Sequence, residues 1–241
     1  MIDSAFLWAA VVVAFAGVVR GVTGFGGAMV IAPALSVSLS PERAVAIALT
    51  LEAFAALPLL RPAVRSVNWE VMRPIIISAF IAAPAGGFLL VSLDPVLMRR
   101  LIAIIVIVFA FVMLTGFRFH GRQRIGTGVA VGLAGGVLVG ATSMGGPPVI
   151  LYLMAGPGPL SVMRANLMLY VTMSSVAGLL ALGLAGALKV DVMLLILALA
   201  PVYMLAGLAG GRIFHRINAQ IFRRLTLIFL IGVSAAILVL S

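Results

Sequence analysis

The chain has 241 residues, of which 64% are hydrophobic and only 9% are charged, far below the roughly 25% charged residues of soluble domains. This composition excludes an ordinary soluble protein and indicates an all-α polytopic membrane protein. The formal net charge of +10 would suggest a nucleic-acid partner in a soluble protein. Here most basic residues lie in short loops, where they orient membrane helices, so we expect no nucleic-acid partner.

The first predicted element is an apolar segment at residues 4–39 that glycines interrupt between Gly21 and Gly27. It is too long for one ordinary membrane span of roughly 20 residues and short for two. We therefore predict a re-entrant hairpin, in which two half-length helices meet at the glycines and the chain leaves the membrane on the side where it entered. A continuous kinked helix, packed through its small residues, is the alternative.

Ordinary apolar spans and a second interrupted segment follow along the chain. Ser40 and Asp94 have the residue type and position of helix N-caps, and each precedes a proline at the first helical position. The second interrupted segment breaks near Gly140–Pro148, where a Pro-Pro pair ends a helix. The predicted order is spans 43–60, 74–93 and 98–117, hairpin 125–157, and spans 162–188, 191–211 and 221–240.

An internal repeat relates the two interrupted segments. Residues 21–31 read GVTGFGGAMVI and residues 140–150 read GATSMGGPPVI, and they share six of eleven positions at a constant offset of 119. A Gly-Gly pair at 86–87 recurs at 210–211, in the same order. Apolar bias explains shared valine and isoleucine but not the shared Gly-Gly with threonine ahead of it, so we predict a duplication.

Loop charges favour an inverted arrangement of the two repeats, which we place at residues 1–120 and 121–241. If each interrupted segment crossed the membrane, the two sides would receive 8 and 7 loop Lys and Arg residues, whereas re-entrant segments give 4 and 11. Cytoplasmic loops carry the excess of positive charge. We therefore predict inverted repeats, each a re-entrant hairpin plus three transmembrane helices, with both termini outside the cytoplasm.

The glycine-rich breaks form the predicted binding site. Non-helical backbone at membrane depth survives only where it is buried in protein or lines a watery cavity, and inverted-repeat transporters place such breaks next to the substrate. The first turn of a helix attracts anions, and glycine lets its backbone approach closely. We predict a largely main-chain site for a small oxyanion where two tips meet. Its residues are Arg20, Thr23, Gly24, Phe25, Gly26 and Gly27, together with Thr142, Ser143, Met144, Gly145 and Gly146.

Three polar residues lie inside apolar runs. The sequence leaves the roles of two of them open and favours a structural role for the third. Arg20 is either the fixed positive charge for an anionic substrate or a structural residue that snorkels or pairs with a carboxylate. Glu52, the only acid in the middle of a predicted span, is a candidate for proton coupling or for a structural pair with Arg20. For Asn166 we favour a hydrogen bond to a neighbouring helix over substrate contact.

Other chemistry finds little support in the sequence. The chain has no cysteine, and its two histidines lie in basic loops without an acid cluster, so we expect no metal site and no cofactor. A Gly-Lys-Ser/Thr phosphate loop and a base–nucleophile pair are both absent from the sequence. We therefore do not expect an enzyme.

The chain resembles the sulfite exporter TauE/SafE family of membrane permeases. The resemblance is carried by GVTGFGGAMVIAPALS at residues 21–36, by GATSMGGPPVILYLM at residues 140–154, and by the size and duplication of the chain. It implies export or uptake of sulfur-containing anions such as sulfite, sulfonates or thiosulfate, without ATP hydrolysis in the polypeptide.

The leading hypothesis is a secondary transporter for a small, sulfur-containing oxyanion, with alternating access around a midplane site made by the two breaks. An anion channel that uses the same glycine-rich tips as a filter is the alternative. We expect a multi-pass protein of the cell membrane, inner or plasma, whose partners are the anionic substrate and the lipid bilayer. The sequence leaves a homodimer open.

Overall fold

The computed structural model describes residues 4–116, 123–156, 159–213 and 219–240. Within these ranges the chain forms ten α-helices and no β-strand. The helices are α1 (Ser4–Thr23), α2 (Gly27–Ser36), α3 (Pro41–Val64), α4 (Trp69–Ser92), α5 (Pro95–Leu114), α6 (Ile125–Thr142), α7 (Gly146–Met154), α8 (Leu160–Leu184), α9 (Val190–Ile213) and α10 (Ala219–Leu240).

Seven helices in the described ranges are long and apolar enough to cross a membrane, namely α1, α4, α5, α6, α8, α9 and α10. The prediction of an all-α, polytopic membrane protein is thereby confirmed. Helix α3 is as long as α4, with 24 residues. It is not one of the seven, and it carries the charged residues Glu42, Arg43, Glu52 and Arg61.

The two arms of each interrupted segment are unequal. Helix α1 has 20 residues and is about 30 Å long, whereas α2 has 10 residues and spans about 15 Å. Helices α6 and α7 repeat the pattern with 18 and 9 residues. The prediction of half-length helices is therefore wrong for the first arms. Each first arm stays helical past its first motif glycine, because a helical glycine costs only about 1 kcal/mol relative to alanine and lets another helix approach closely.

Local capping moves two helix boundaries away from the predicted ones. Helix α4 begins at Trp69 rather than at residue 74, because the side chain of Asn68 accepts hydrogen bonds from the second and third N–H groups of the helix at 3.2 and 3.4 Å. Helix α8 ends at Leu184 rather than at residue 188, and Gly186 follows with a φ of 69°. Asp94 is the N-cap of α5, as predicted.

In the second interrupted segment, the end of α7 lies beside the start of α6. Tyr152 lies near the end of α7, and its hydroxyl donates a hydrogen bond to the carbonyl oxygen of Arg124 at 3.3 Å. The carbonyl oxygen of Tyr152 accepts a hydrogen bond from Gln123 Nε2 at 3.2 Å. Because Gln123 and Arg124 immediately precede α6, the chain enters α6 and leaves α7 at the same end.

The helices group into two compact units, and each unit contains helices from both sequence repeats. Unit 1 comprises Met1–Leu51, Leu93–Gly116 and Leu188–Ser241, and unit 2 comprises Glu52–Ser92 and Phe117–Ala187. In unit 1, α1 packs on α9 and α2, α5 packs on α10, and α2 contacts both α5 and α10. In unit 2, α6 packs on α4, α7 and α8. The predicted repeats, residues 1–120 and 121–241, are defined by similarity of sequence, and the compact units do not test them. The repeat boundaries therefore stay a prediction.

In unit 1, α1 and α9 meet backbone to backbone through glycines. A methyl group on Gly21 would overlap the carbonyl oxygen of Gly207 and would lie 2.8 Å from the nitrogen of Gly211. One turn earlier, a methyl group on Gly17 would lie 2.6 Å from the carbonyl oxygen of Tyr203. The first motif glycine therefore serves helix packing rather than the break itself.

Unit 2 repeats this contact between α6 and α4. A methyl group on Gly140 would overlap the carbonyl oxygen of Ala83 and would lie 2.8 Å from the nitrogen of Gly87. Gly140 occupies the same motif position as Gly21, and Gly87 the same position as Gly211. The motif glycine of each repeat thus packs on the Gly-Gly pair of the other repeat.

Two contacts within unit 1 bear on how often the chain crosses the membrane. Arg43 at the start of α3 pairs with Asp191 at the start of α9, at 2.7 Å. Arg223 near the start of α10 donates a hydrogen bond to the carbonyl oxygen of Met113 near the end of α5, at 3.3 Å. If α3, α4, α5, α8, α9 and α10 each cross once, both pairs share a membrane face only when the second interrupted segment crosses an even number of times. On that count the contacts favour a re-entrant second segment, and the re-entrant first segment, the inverted orientation and the side of the termini stay predictions.

Candidate functional site

The first break consists of Gly24, Phe25 and Gly26, between α1 and α2. Gly24 has a φ of 80° and Gly26 a φ of 92°, in the left-handed region that costs a side-chain-bearing residue about 1–2 kcal/mol. A Cβ atom on Gly24 would meet no other atom within 4 Å. The backbone conformation, and not a lack of space, therefore requires glycine in this turn.

Helix α2 begins directly at this turn and is buried along its whole length, from Gly27 to Ser36. Gly26 is its N-cap, and glycine has no side chain with which to cap the helix. The first N–H groups of a helix have no intrahelical partner and carry partial positive charge. Every residue in the first turn of α2 has an N–H group, since the first proline of the helix is Pro33. The first break thus places main-chain donors beside a turn in which Gly24 is exposed.

The second break, Ser143 to Gly145, is closed and buried. Ser143 has a φ of 63° and is the one residue with a side chain in the described ranges whose φ is positive. Ser143 is 8% exposed and Met144 is 1% exposed. Tyr170, which is fully buried in α8, donates a hydrogen bond from its hydroxyl to the carbonyl oxygen of Gly145 at 3.0 Å. This bond joins the second break to a neighbouring span.

The two breaks also differ in the donors that they offer. Helix α7 begins at Gly146, and its next two residues are Pro147 and Pro148. Proline has no backbone N–H group. The first turn of α7 therefore lacks two donors that the first turn of α2 has, and the main-chain anion site that the sequence predicts for both breaks is better developed at the first.

Matching threonines end the long arm of both hairpins. The hydroxyl of Thr23 donates to the carbonyl oxygen of Val19 at 2.8 Å, and that of Thr142 donates to Leu138 at 2.8 Å. Each threonine oxygen also accepts a hydrogen bond from the N–H group two residues later, at 3.4 Å for Thr23 and 3.3 Å for Thr142. Since a hydroxyl has one proton to donate, these threonines stabilise the breaks in this conformation. Their predicted role as anion donors requires the hydroxyl to turn away from its carbonyl oxygen.

The apolar residue at the tip of each break packs into its own unit. Phe25 is half-buried and packs against a cluster formed by Ala110, Met113 and Leu227 of α5 and α10. Met144 is buried at the corresponding position of the second break. Phe25 therefore ties the first break to α5 and α10, which is a contact that the sequence did not indicate.

Arg20 lies in the last turn of α1, where a cation interacts favourably with the helix dipole. Its carbonyl oxygen accepts the N–H group of Gly24 at 2.7 Å, which closes the helix end. The side chain is half-buried, its Nη1 atom is shielded from solvent, and buried Tyr203 of α9 lies within electrostatic range. The substrate charge and the structural role both stay predictions for Arg20.

Glu52 and Asn166 differ in how far the structure explains them. Glu52 is 5% exposed within α3, and its proposed coupling role stays a prediction. The side-chain oxygen of Asn166 accepts the N–H group of Asn68 at 2.9 Å, so the predicted hydrogen bond from α8 to a neighbouring helix start is confirmed. No group of three or more His, Cys, Asp or Glu side chains that could hold a metal ion occurs in the part of the chain that the structure describes.

Tyr170 is the residue near the breaks that sequence reasoning missed. A signal was present, because a tyrosine hydroxyl inside an apolar span needs a hydrogen-bond partner once it is buried. The sequence does not reveal that this partner is Gly145, 25 residues away across two helices. Only the packing of α8 beside the second break makes that assignment.

Comparison with known proteins identifies one family. The model of the family described as sulfite exporter TauE/SafE matches residues 9–237, which is nearly the whole chain. No curated protein and no solved structure matches the chain.

Proposed function

Because the chain belongs to the sulfite exporter TauE/SafE family, we propose that it is a secondary permease for a small, sulfur-containing oxyanion such as sulfite, a sulfonate or thiosulfate. A membrane transport role follows from family membership. The identity of the anion and the way in which it is bound are the proposed part. Transport makes and breaks no covalent bond, so the site has to supply only donors for negative charge and a route across the membrane.

The start of α2 is the observation that carries this proposal. It combines a left-handed turn at a glycine N-cap with a backbone N–H group at every position of the first turn. All ten residues of α2 are buried, so the helix end is held inside the protein rather than in water. A helix N-terminus in such surroundings favours an anion, and glycine lets the anion approach the backbone.

The expected strength of such a site suits transport. Charge-assisted hydrogen bonds contribute about 1.5–3 kcal/mol each. Two or three of them correspond to a dissociation constant in roughly the millimolar to micromolar range. A permease has to release its substrate on the other side, so main-chain donors of moderate strength serve it better than a cluster of buried lysines or arginines would.

We assign the second break a supporting role. Its prolines remove two donors, and its Gly145 carbonyl is already bonded to Tyr170. We propose that it holds a fixed backbone shape while the first break binds the anion. Alternating access is the proposed mechanism, and it follows from the transporter class rather than from a second observed conformation.

Flux measurements in proteoliposomes test this function. Purified protein is reconstituted, and uptake of sulfite, thiosulfate, a short sulfonate and sulfate is measured with and without a proton gradient. We expect saturable uptake of at least one of the sulfur oxyanions, driven above equilibrium by a gradient. Conductive flux that only follows the membrane potential would favour the channel, and the absence of flux for all four anions would contradict the proposed substrate class.

A further inference from the structure

A cavity of about 460 Å³ lies in unit 1 between the last turn of α5 and the start of α10. Met113 and Leu227 belong both to its wall and to the cluster against which Phe25 of the first break packs. Its polar wall includes two guanidinium groups. The residues used below are Met113, Thr115, Ile221, Arg223, Arg224 and Leu227.

The two arginines of the cavity are only partly satisfied by the protein. Arg223 donates one hydrogen bond, from Nη2 to the carbonyl oxygen of Met113 at 3.3 Å, and a guanidinium group carries five N–H donors. Thr115 bonds the carbonyl oxygen of Val112 at 2.9 Å rather than an arginine. Arg223 and Arg224 lie in the second turn of α10.

The segments that flank this pair in sequence supply no carboxylate. Residues 95–190 and 192–241 contain neither Asp nor Glu, so no segment that flanks the cavity in sequence provides one. Asp94 is separated from the cavity by the length of α5, about 30 Å, and Asp191 is separated from the start of α10 by the length of α9, about 36 Å. The segments that form the cavity thus supply two positive charges and no negative one.

The position of the cavity indicates where that counter-ion comes from. Both α5 and α10 are candidate membrane spans, so the end of one and the start of the other lie at the level of lipid headgroups. The apolar residues Ile221, Leu225 and Ile228 follow along α10 and are 56%, 61% and 57% exposed. An acidic lipid matches this arrangement, because its charged headgroup suits the basic cavity and its acyl chains suit the apolar surface beside it.

We propose that this cavity binds a phosphate-type oxyanion, carried in the bilayer by the headgroup of an acidic phospholipid. Arg223 and Arg224 hold the phosphate, and the exposed face of α10 receives the acyl chains. The proposed site does not rest on the proposed transport function.

Native mass spectrometry of the protein released from phosphatidylglycerol-containing nanodiscs tests the site. We compare the wild type with the double variant Arg223→Gln/Arg224→Gln. The matched control is Arg99→Gln/Arg100→Gln, which removes the same charge from the corresponding pair at the start of α5, next to Asp94. We expect a retained phosphatidylglycerol in the wild type and the control, and a loss of roughly tenfold or more in its occupancy in the double variant.

Equal retention by all three proteins would overturn the proposal, as would an equal loss in the double variant and the control.

A second measurement separates a lipid headgroup from a free oxyanion. In neutral detergent, phosphatidylglycerol and inorganic phosphate are each added, and the thermal transition is followed. A rise in Tm with the lipid, lost in the Arg223/Arg224 double variant, supports the lipid headgroup. An equal rise with phosphate alone assigns the site to free oxyanions, and no rise with either probe contradicts it.

Discussion

Gly21 of α1 lies against the carbonyl group of Gly207 in α9, with no room for a side chain between the two backbones. The contact is one-sided, because a methyl group on Gly207 would meet its nearest neighbour, the carbonyl oxygen of Gly17, only at 3.6 Å. In unit 2 the position that corresponds to Gly207 is Ala83, which accommodates a methyl group opposite Gly140. In both units this contact thus requires glycine on the long arm of the hairpin and tolerates a methyl group on the facing helix.

This asymmetry predicts opposite results for two alanine substitutions in one contact. Gly21→Ala should lower the stability of the purified protein by about 1–3 kcal/mol, because the methyl group forces the backbones apart. Gly207→Ala should be neutral or slightly stabilising, because the added methyl group fits. Thermal unfolding in detergent, followed by circular dichroism, measures both. Similar transition temperatures for the two variants would show that the helices are not held at the distance described.

Backbone conformation at the first break gives a second prediction. Gly26→Ala should lower the rate of anion uptake at least tenfold, because alanine resists a φ of 92° and shifts the start of α2. Gly116→Ala is the matched control, since Gly116 also has a positive φ, of 69°, in open space outside the breaks. Both variants should lose similar stability, and only Gly26→Ala should lose transport. Equal uptake by both would remove the first break from the site.

The hydroxyl of Tyr170 gives a third prediction. Tyr170→Phe removes its hydrogen bond to Gly145 and leaves a buried carbonyl oxygen without that donor, at a cost of about 1–3 kcal/mol. If the second break has to keep a fixed shape, the maximal uptake rate should fall while the KM for the anion changes little. Tyr152→Phe, which removes a hydroxyl at the opposite end of the same hairpin, is the control and should leave uptake near the wild-type rate. A changed KM in Tyr170→Phe would instead place Tyr170 at the anion.

Arg20 gives a fourth prediction. If its guanidinium is the fixed positive charge for the substrate, Arg20→Gln should raise the KM for the anion several-fold, and Arg20→Lys should restore part of the affinity. If Arg20 is structural, both variants should lower stability without a selective effect on KM. Uptake kinetics together with thermal unfolding distinguish the two roles.

Membrane sidedness gives a fifth prediction, which the absence of native cysteine makes simple to test. Single cysteines at the exposed positions Ser38 and Lys189 should react with a membrane-impermeant thiol reagent from the same face. Cysteines at exposed Ser66 and Thr115 should react from the opposite face. Labelling of positions 38 and 189 from different faces would mean that the second interrupted segment crosses the membrane. A cysteine at position 3 then tests the prediction that the N-terminus lies outside the cytoplasm.

Local features of the chain could be predicted from the sequence because they depend on few neighbouring residues. Apolar content shows how much of the chain belongs in a membrane, and capping residues such as Ser40 and Asp94 mark helix starts. The glycine motif marks the first break for the same reason, since a left-handed turn at Gly24 or Gly26 depends on the residue itself, whereas the left-handed residue of the second break is Ser143. The lengths of the two arms were missed, because glycine at Gly21 can stay helical when another helix covers it.

The sequence by itself determined the membrane class, the repeated motif and the family. Only the tertiary structure decided that α1 packs on α9 and α6 on α4, that Tyr170 bonds Gly145, and that the second break is closed while the first is partly open. These relations join residues that are distant in the chain, and their energies come from close packing and from satisfying buried polar groups. Neither the packing energy nor the hydrogen-bond energy of a residue can be evaluated until its neighbours in space are known. The two breaks therefore look equivalent in sequence and differ in structure.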